Sequence, residues 1–250
     1  MRVEVLASGS KANSCLVITK SSKIIIDVGL PYLTVKKLLE EKNIPLENID
    51  GVLITHTHSD HIKGLYSLIK RTNIKLYIPS EFYIELKDIV PLDRCEFIEY
   101  NFNINNTKVE IIAVSHDTPH AYGFILEEDN KSLVYITDTG YLNRRILPKI
   151  TGKNIYLIES NHDEEMLMDG PYPRYLKERV ISDTGHLSNR STALYLSKVV
   201  NNKTKHIILA HISEKNNTEE LAYKTTKKKI PNDINLIIAK QHELTEVVEV

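Results

Sequence analysis

Short apolar, β-branched runs bounded by turn residues open the chain. Arg2 to Ala7 alternates, a Ser-Gly-Ser-Lys-Ala-Asn-Ser loop follows, and Cys15 to Thr19 and Ile24 to Val28 are apolar. This pattern predicts strand, turn, strand, strand. Pro31 to Asn43 then reads as a helix, Gly51 to Thr55 as a strand, Ile62 to Lys70 as a helix and Lys75 to Ile78 as a strand. A helix is expected over Glu81 to Ile89, and strands over Lys108 to Ser115, Tyr122 to Glu127, Ser132 to Thr137 and Ile155 to Ile158. Ser188 to Val200 is an amphipathic helix, His206 to Ala210 a strand and Glu219 to Lys229 a lysine-rich helix; Leu236 to Ala239 and Glu246 to Val250 close the sheet. Strands precede helices in both halves, which predicts an α+β fold of mixed sheets covered by helices and not a doubly wound parallel one.

Composition narrows this picture. The 250 residues are 42% hydrophobic and 26% charged, enough for one core or two half-domains sharing one. No linker or short repeat interrupts the pattern, so one domain over 1–250 is expected. The net charge of -1 provides no global field for nucleic acid, and any such binding needs a local patch. Cys15 and Cys95 lack metal-pair spacing. The first residues contain no apolar export segment and no run is long enough to span a membrane, so a cytoplasmic protein without a membrane partner is expected.

The chemistry concentrates at the ends of the predicted strands. Thr55-His56-Thr57-His58-Ser59-Asp60-His61 directly follows the apolar Val52 to Ile54. In an extended chain His56 and His58 share one side, and the turn into the next helix aims Asp60 and His61 from another direction. Imidazole nitrogen and carboxylate oxygen are ligands for zinc, manganese or iron. A single histidine here would read as a surface residue; the group does not. Asp27, His116, Asp138 and His211 each follow a further apolar strand. Any one of them alone would pass for a turn residue or a cap.

Taken in order, Asp27, His56-x-His58-x-Asp60-His61, His116, Asp138 and His211 resemble the five motifs of the metallo-β-lactamase superfamily. That resemblance implies a four-layer αββα sandwich of two mixed β-sheets. It also implies two divalent metal ions, manganese or zinc. One would be held by His56, His58 and His116, the other by Asp60, His61 and His211, with Asp138 bridging and Asp27 fixing the ligands through hydrogen bonds. Neither cysteine falls at a ligand position.

A closer resemblance is to the YycJ (WalJ) family. It is carried by Ala7-Ser8-Gly9-Ser10-Lys11-Ala12-Asn13-Ser14, Ser115-His116-Asp117, Thr137-Asp138-Thr139-Gly140, Glu159-Ser160-Asn161-His162-Asp163, Gly185-His186-Leu187-Ser188-Asn189 and Leu209-Ala210-His211. It implies a 5′-to-3′ exonuclease on double-stranded DNA, with duplex ends as partner; no obligate protein partner is evident from the sequence. By similarity to tRNase Z-like enzymes, Glu159 and His186 form a relay that protonates the leaving oxygen, and Asp60 joins them among the catalytic groups. The alternative for His186 is a neighbour of a helix cap at Ser188. The sequence departs from tRNase Z in having Leu187-Ser188-Asn189 after the histidine and no Gly/Pro-rich arm. Arg174, Arg179 and Tyr175 are candidate substrate contacts, phosphate to cation and base to ring, with packing of that segment as the alternative. Ser10, Asn13 and Ser14 read as turn residues, and His120 and His162 as neighbours of the motifs. His206 and His242 carry no assigned role. The same ligands would also serve a small-molecule cyclic phosphodiesterase or a metal-bound regulatory protein with little turnover.

Overall fold

Strands form where the apolar runs predict them. The computed structural model describes residues 1–241 and 245–250, and His242 lies outside the described residues. Its strands are β1 (Arg2–Ala7), β2 (Ser14–Ile18), β3 (Lys23–Ile26), β4 (Gly51–Leu53), β5 (Leu76–Ile78), β6 (Cys95–Phe97), β7 (Asn101–Ile104), β8 (Thr107–Ala113), β9 (Tyr122–Glu128), β10 (Lys131–Ile136), β11 (Ile155–Glu159), β12 (His206–Ala210), β13 (Asn235–Ile238) and β14 (Val248–Glu249). Its helices are α1 (Tyr32–Glu40), α2 (Ser59–Ile62), α3 (Leu65–Arg71), α4 (Tyr83–Leu86), α5 (Leu147–Ile150), α6 (Glu164–Asp169), α7 (Arg174–Ile181), α8 (Asn189–Val199) and α9 (Glu219–Lys227).

Two seven-stranded sheets result, in the orders β14-β1-β2-β3-β4-β5-β6 and β13-β12-β11-β10-β9-β8-β7. Both are mixed. β1, β2 and β3 pair antiparallel, and β3 to β6 run parallel. β7 and β8 form an antiparallel hairpin, and β10 to β13 run parallel. The mixed sheets covered by helices are those the strand-and-helix pattern predicts.

By contacts the chain forms two compact units: Met1–Ile111 with Leu126–Asn130 and Lys240–Glu249, and Ile112–Ile125 with Lys131–Ala239. In the first, Leu16, Ile25, Val52 and Leu76 from one sheet face pack with Val35 and Leu39 of α1 and Leu65 and Leu68 of α3. In the second, Val134, Ile136, Tyr156, Ile158, Ile207 and Leu209 pack with Leu196 and Val199 of α8 and Ala222 of α9. The alternate residues Ile24, Ile26, Leu53, Leu133, Leu157 and Ile208 are also buried. That is why these strands read as continuous apolar runs and not as alternating ones.

Several expected elements differ. The helix expected over Ile62 to Lys70 is split at Gly64, whose N–H bonds Val28 O at 2.8 Å. A Cβ there would lie 2.0 Å from Leu30 O, so the chain passes too close for any larger residue. The segment expected as a helix over Glu81 to Ile89 is a 3₁₀ turn followed by the single turn α4. β6, β7, α6 and α7 had no clear periodic signal, being short or, like β7, half polar. No helix among the described residues is long and apolar enough to cross a membrane.

Candidate metal and catalytic centre

Several of the candidate side chains, among them Asp27, Asp138 and His211, sit at the carboxyl ends of parallel strands, where ligands bind in open α/β sheets. Asp27 follows β3, and its N–H bonds Leu53 O of the neighbouring β4 at 2.9 Å. Register places Ile136 opposite Ile158 and Glu159 opposite Ala210, so Asp138, Glu159 and His211 emerge at one end of β10, β11 and β12. Asp27, Asp138 and His211 all take a left-handed backbone, with φ of 60°, 52° and 55°. For a histidine this is unfavourable geometry, held only where surrounding structure enforces it, and such residues cluster at functional sites.

In the first unit, Asp27 is fully buried and organises the histidine motif. Its carboxylate accepts from Thr55 N at 2.8 Å, from Thr55 Oγ1 at 2.9 Å and from His61 Nδ1 at 2.8 Å. Thr55 Oγ1 also lies 3.0 Å from His56 Nδ1. The His56 ring is 4.0 Å from that of His61 and 4.7 Å from that of His58, centroid to centroid. Asn13, read from the sequence as a turn residue, does more. Its side-chain oxygen accepts from Gly9 N, closing the loop, and its Nδ2 donates to Asp60 Oδ2 at 2.9 Å and lies 2.9 Å from His61 Nε2. Backbone bonds from Asn13 N to Asp60 O and from Gly29 N to Asn13 O hold the loop there. A Cβ at Gly29 would fall 1.7 Å from Asp60 O, so only glycine permits this approach. The local sequence signals for Asn13 and Thr55 are a polar residue inside a glycine-containing loop, one of the stretches that carry the family resemblance, and one immediately preceding the first histidine.

In the second unit, Glu159 is the hub. It is fully buried and accepts at Oε1 from His186 Nδ1 at 2.7 Å and from His211 Nδ1 at 2.9 Å. Its Oε2 accepts from the backbone N–H groups of Thr139 and Leu187, both at 3.1 Å. Ligating atoms of Asp138, Glu159, His186 and His211 all lie within 4.8 Å of one another. The His116 and His211 rings each stand 5.2 Å from the His186 ring. Ser188 caps α8 by accepting from Ser191 N at 3.1 Å, and the cap coexists with the Glu159–His186 hydrogen bond.

These contacts set the charges. Burial alone would push the His186 imidazole down, but the Glu159 carboxylate beside it and the bond to it prevail, raising it to about 9. Burial would push Glu159 up, yet the His186 charge and the bonds from both histidines hold it down at about 2. His211 is raised for similar reasons: burial opposes, and Asp138 and Glu159 outweigh it. His116 is lowered by burial, and His162, also buried, falls to about 4.

His61 and His211 each have Nδ1 turned onto a buried carboxylate, which leaves Nε2 as the acceptor. That is the tautomer a divalent cation takes, with the orienting carboxylate behind it. The donor set therefore fits such an ion. Of the other expected contacts, Arg179 pairs with Asp117 through Nε at 2.6 Å, and Asp117 Oδ1 lies 3.3 Å from His116 Nε2. Arg174 pairs with Glu178 on the surface, and Tyr175 is exposed. The His120 ring stacks with Tyr122.

A model of the β-lactamase superfamily domain matches residues 23–212. The chain belongs to this superfamily. Within it, the chain is 36% identical over 231 residues to exodeoxyribonuclease YycJ of Bacillus anthracis, covering 89% of this chain and 86% of that protein. It is 38% identical over 233 residues to exodeoxyribonuclease WalJ of Streptococcus pneumoniae, covering 90% and 86%. It belongs to the family of these two proteins. The metallo-β-lactamase fold protein YhfI of Bacillus subtilis superposes with a TM-score of 0.77 at 14% identity, covering 99% of each chain. That likeness shows the fold expected from the five motifs.

Proposed function

We propose that this chain is a metal-dependent exodeoxyribonuclease, working 5′ to 3′ from ends of double-stranded DNA. The observation that carries the reading is Glu159 joining His186 to His211, in a chain more than a third identical to two exodeoxyribonucleases along most of its length. As the superfamily resemblance implies, His56, His58 and His116 would hold one divalent ion and Asp60, His61 and His211 a second, with Asp138 a further ligand. Asp27 fixes His61, and Glu159 fixes His211. When bound, manganese or zinc ions polarise the phosphodiester and make water a nucleophile near neutral pH. The protein's own groups handle the proton on the other side of the bond. Glu159 holds the His186 Nδ1–H, so the second ring nitrogen carries the proton given to the leaving oxygen. The His186 side chain keeps 20% of its surface exposed whereas Glu159 keeps none, so the histidine is the member of the pair that meets substrate. Asp117, held by Arg179, lies beside His116 and restrains that ligand's ring.

The test is incubation with end-labelled duplex DNA, single-stranded DNA, RNA and closed circular duplex, with manganese and with zinc. Metal-dependent release of nucleotides from the 5′ end of linear duplex is expected, with the closed circle resistant. Rapid nicking of the circle, or hydrolysis confined to small cyclic phosphates, overturns the reading.

A further inference from the structure

A groove of about 730 Å³ runs along the outer face of α8 in the second unit, walled opposite by Tyr141 to Leu147. Its start is close in sequence to the catalytic hub. Tyr141 is three residues beyond Asp138, in a loop held by the bond from Thr139 Oγ1 to Tyr141 O at 2.9 Å. On the helix side, Ser191 is one turn beyond the cap Ser188, which follows His186 and Leu187. From there Leu194, Tyr195 and Lys198 line the groove at helical spacing. From Ser191 to Lys198 the helix rises about 10 Å, the length of about three stacked nucleotides.

The lining is unusual in three respects. Tyr141 and Leu194 are large side chains left 39% and 50% exposed. Neither the Tyr141 nor the Tyr195 side chain has a hydrogen bond or aromatic partner among the described residues, although Tyr195 packs partly against the apolar core, and Arg144 and Lys198 are paired with no carboxylate there. No aspartate or glutamate lines the groove. Unpaired cations beside the exposed Tyr141 ring and the Tyr195 ring, whose inner side packs on the apolar core, with no negative charge to repel a phosphate, match a chain that alternates phosphates with flat bases.

We propose that this groove binds the single strand of nucleic acid that adjoins the reaction centre, with bases on Tyr141 and Tyr195 and phosphates on Arg144 and Lys198. The proposal rests on the nuclease reading above and adds the strand's path to it. It accounts for cations that the global charge does not provide and that the pairs Arg174–Glu178 and Arg179–Asp117 have already taken up elsewhere.

The test measures binding of a fluorescent single-stranded 12-mer with phosphorothioate linkages to the metal-loaded protein by anisotropy, across a range of salt. Arg144→Glu with Lys198→Glu should weaken binding at least 10-fold and flatten the salt dependence by about 1.4 in log–log slope, at about 0.7 per phosphate. Tyr141→Ala should lose about 5- to 150-fold, the worth of one stacked base, and Tyr141→Phe should bind like wild type. All variants should hydrolyse a small aryl phosphodiester at the wild-type rate. Unchanged affinity and slope in the charge-reversed variant, while wild type degrades DNA, overturns the groove and leaves the nuclease reading standing. Displacement of the strand by an equal concentration of an acidic peptide of the same charge assigns the groove to a protein and also overturns it. Wild type that hydrolyses the aryl ester but neither binds nor degrades DNA overturns both.

Discussion

At the scale of single residues, Glu159 carries two duties, because one oxygen receives both His186 and His211. This changes what mutation should show. The sequence alone suggests that Glu159→Gln is milder than loss of His186, as an accessory to one proton transfer. The structure predicts that Glu159→Gln loses metal affinity by about 10–100-fold in addition to turnover, through the freed His211 ring. His186→Ala should keep its metals by elemental analysis while turnover falls by about 10²–10⁴. An aryl phosphodiester, whose leaving group needs no proton, should recover most of that loss; equal losses on aryl ester and DNA would remove the acid role. The pair also titrates. His186 is raised to about 9, so its contribution to stability is complete below its unfolded value near 6.5 and is lost as pH rises through about 9. Glu159 is depressed to about 2, so its share is complete above about 4.5 and lost as pH falls through about 2. Urea unfolding of the metal-free protein should therefore show wild type losing, between pH 6.5 and 9, on the order of 1–3 kcal/mol more than His186→Gln does. Parallel curves for the two proteins would refute the assigned charge states.

At the scale of elements, strand ends and tight backbone contacts aim the chemistry. His186 is preceded by Gly185, where a Cβ would meet Val180 O at 2.2 Å and Arg179 O at 2.3 Å. The His186 N–H bonds Val180 O at 2.9 Å, so the end of α7 sets where this histidine starts. Gly185→Ala should push the loop away from α7 and draw His186 off Glu159. The expected result is a destabilisation of about 1–3 kcal/mol and at least a 10-fold fall in turnover on DNA, with both metals retained. Ser188→Ala, which removes the α8 cap one residue beyond Leu187, should cost about 1 kcal/mol in thermal unfolding and leave the Glu159–His186 bond in place. A loss of turnover in Ser188→Ala as large as that in Gly185→Ala would show that helix placement, and not the glycine contact, controls the histidine.

At the scale of the whole molecule, buried carboxylates beside histidines suit a cation. Asp27, Asp138 and Glu159 are buried among histidines that ordinary globular interiors do not assemble. Binding of a divalent ion to the folded chain should stabilise it by about 2.7 kcal/mol at a concentration 100 times its Kd. Differential scanning fluorimetry should show Tm rising with added manganese or zinc and falling with chelator. Burial pushes the His211 imidazole down, but Asp138 and Glu159 together raise it, so an ion binding there competes with a proton. Metal affinity should therefore increase as pH rises through the neutral range. A Tm indifferent to metal at every pH would contradict the donor set.

Legible in the sequence were the features that local chemistry dictates. Apolar β-branched runs made strands, Ser188 made a cap, and the residues after each run marked the candidate positions, because a ligating group has to leave the apolar sheet at its edge. Asp27, Asp138 and His211 stand out as candidates in this way, and so does the histidine motif after β4. The resemblance to tRNase Z-like enzymes, and nothing in the local pattern, presents Glu159 and His186 as partners. Only the tertiary structure decided the rest. Nothing local says that Glu159 also receives His211, 52 residues away, or that Asn13 reaches across 47 residues to Asp60. Nothing local ties Arg179 to Asp117, or splits the helix at Gly64. Those outcomes depend on strand register and on how closely two backbones approach, quantities set by long-range pairing and written in no short stretch of the chain.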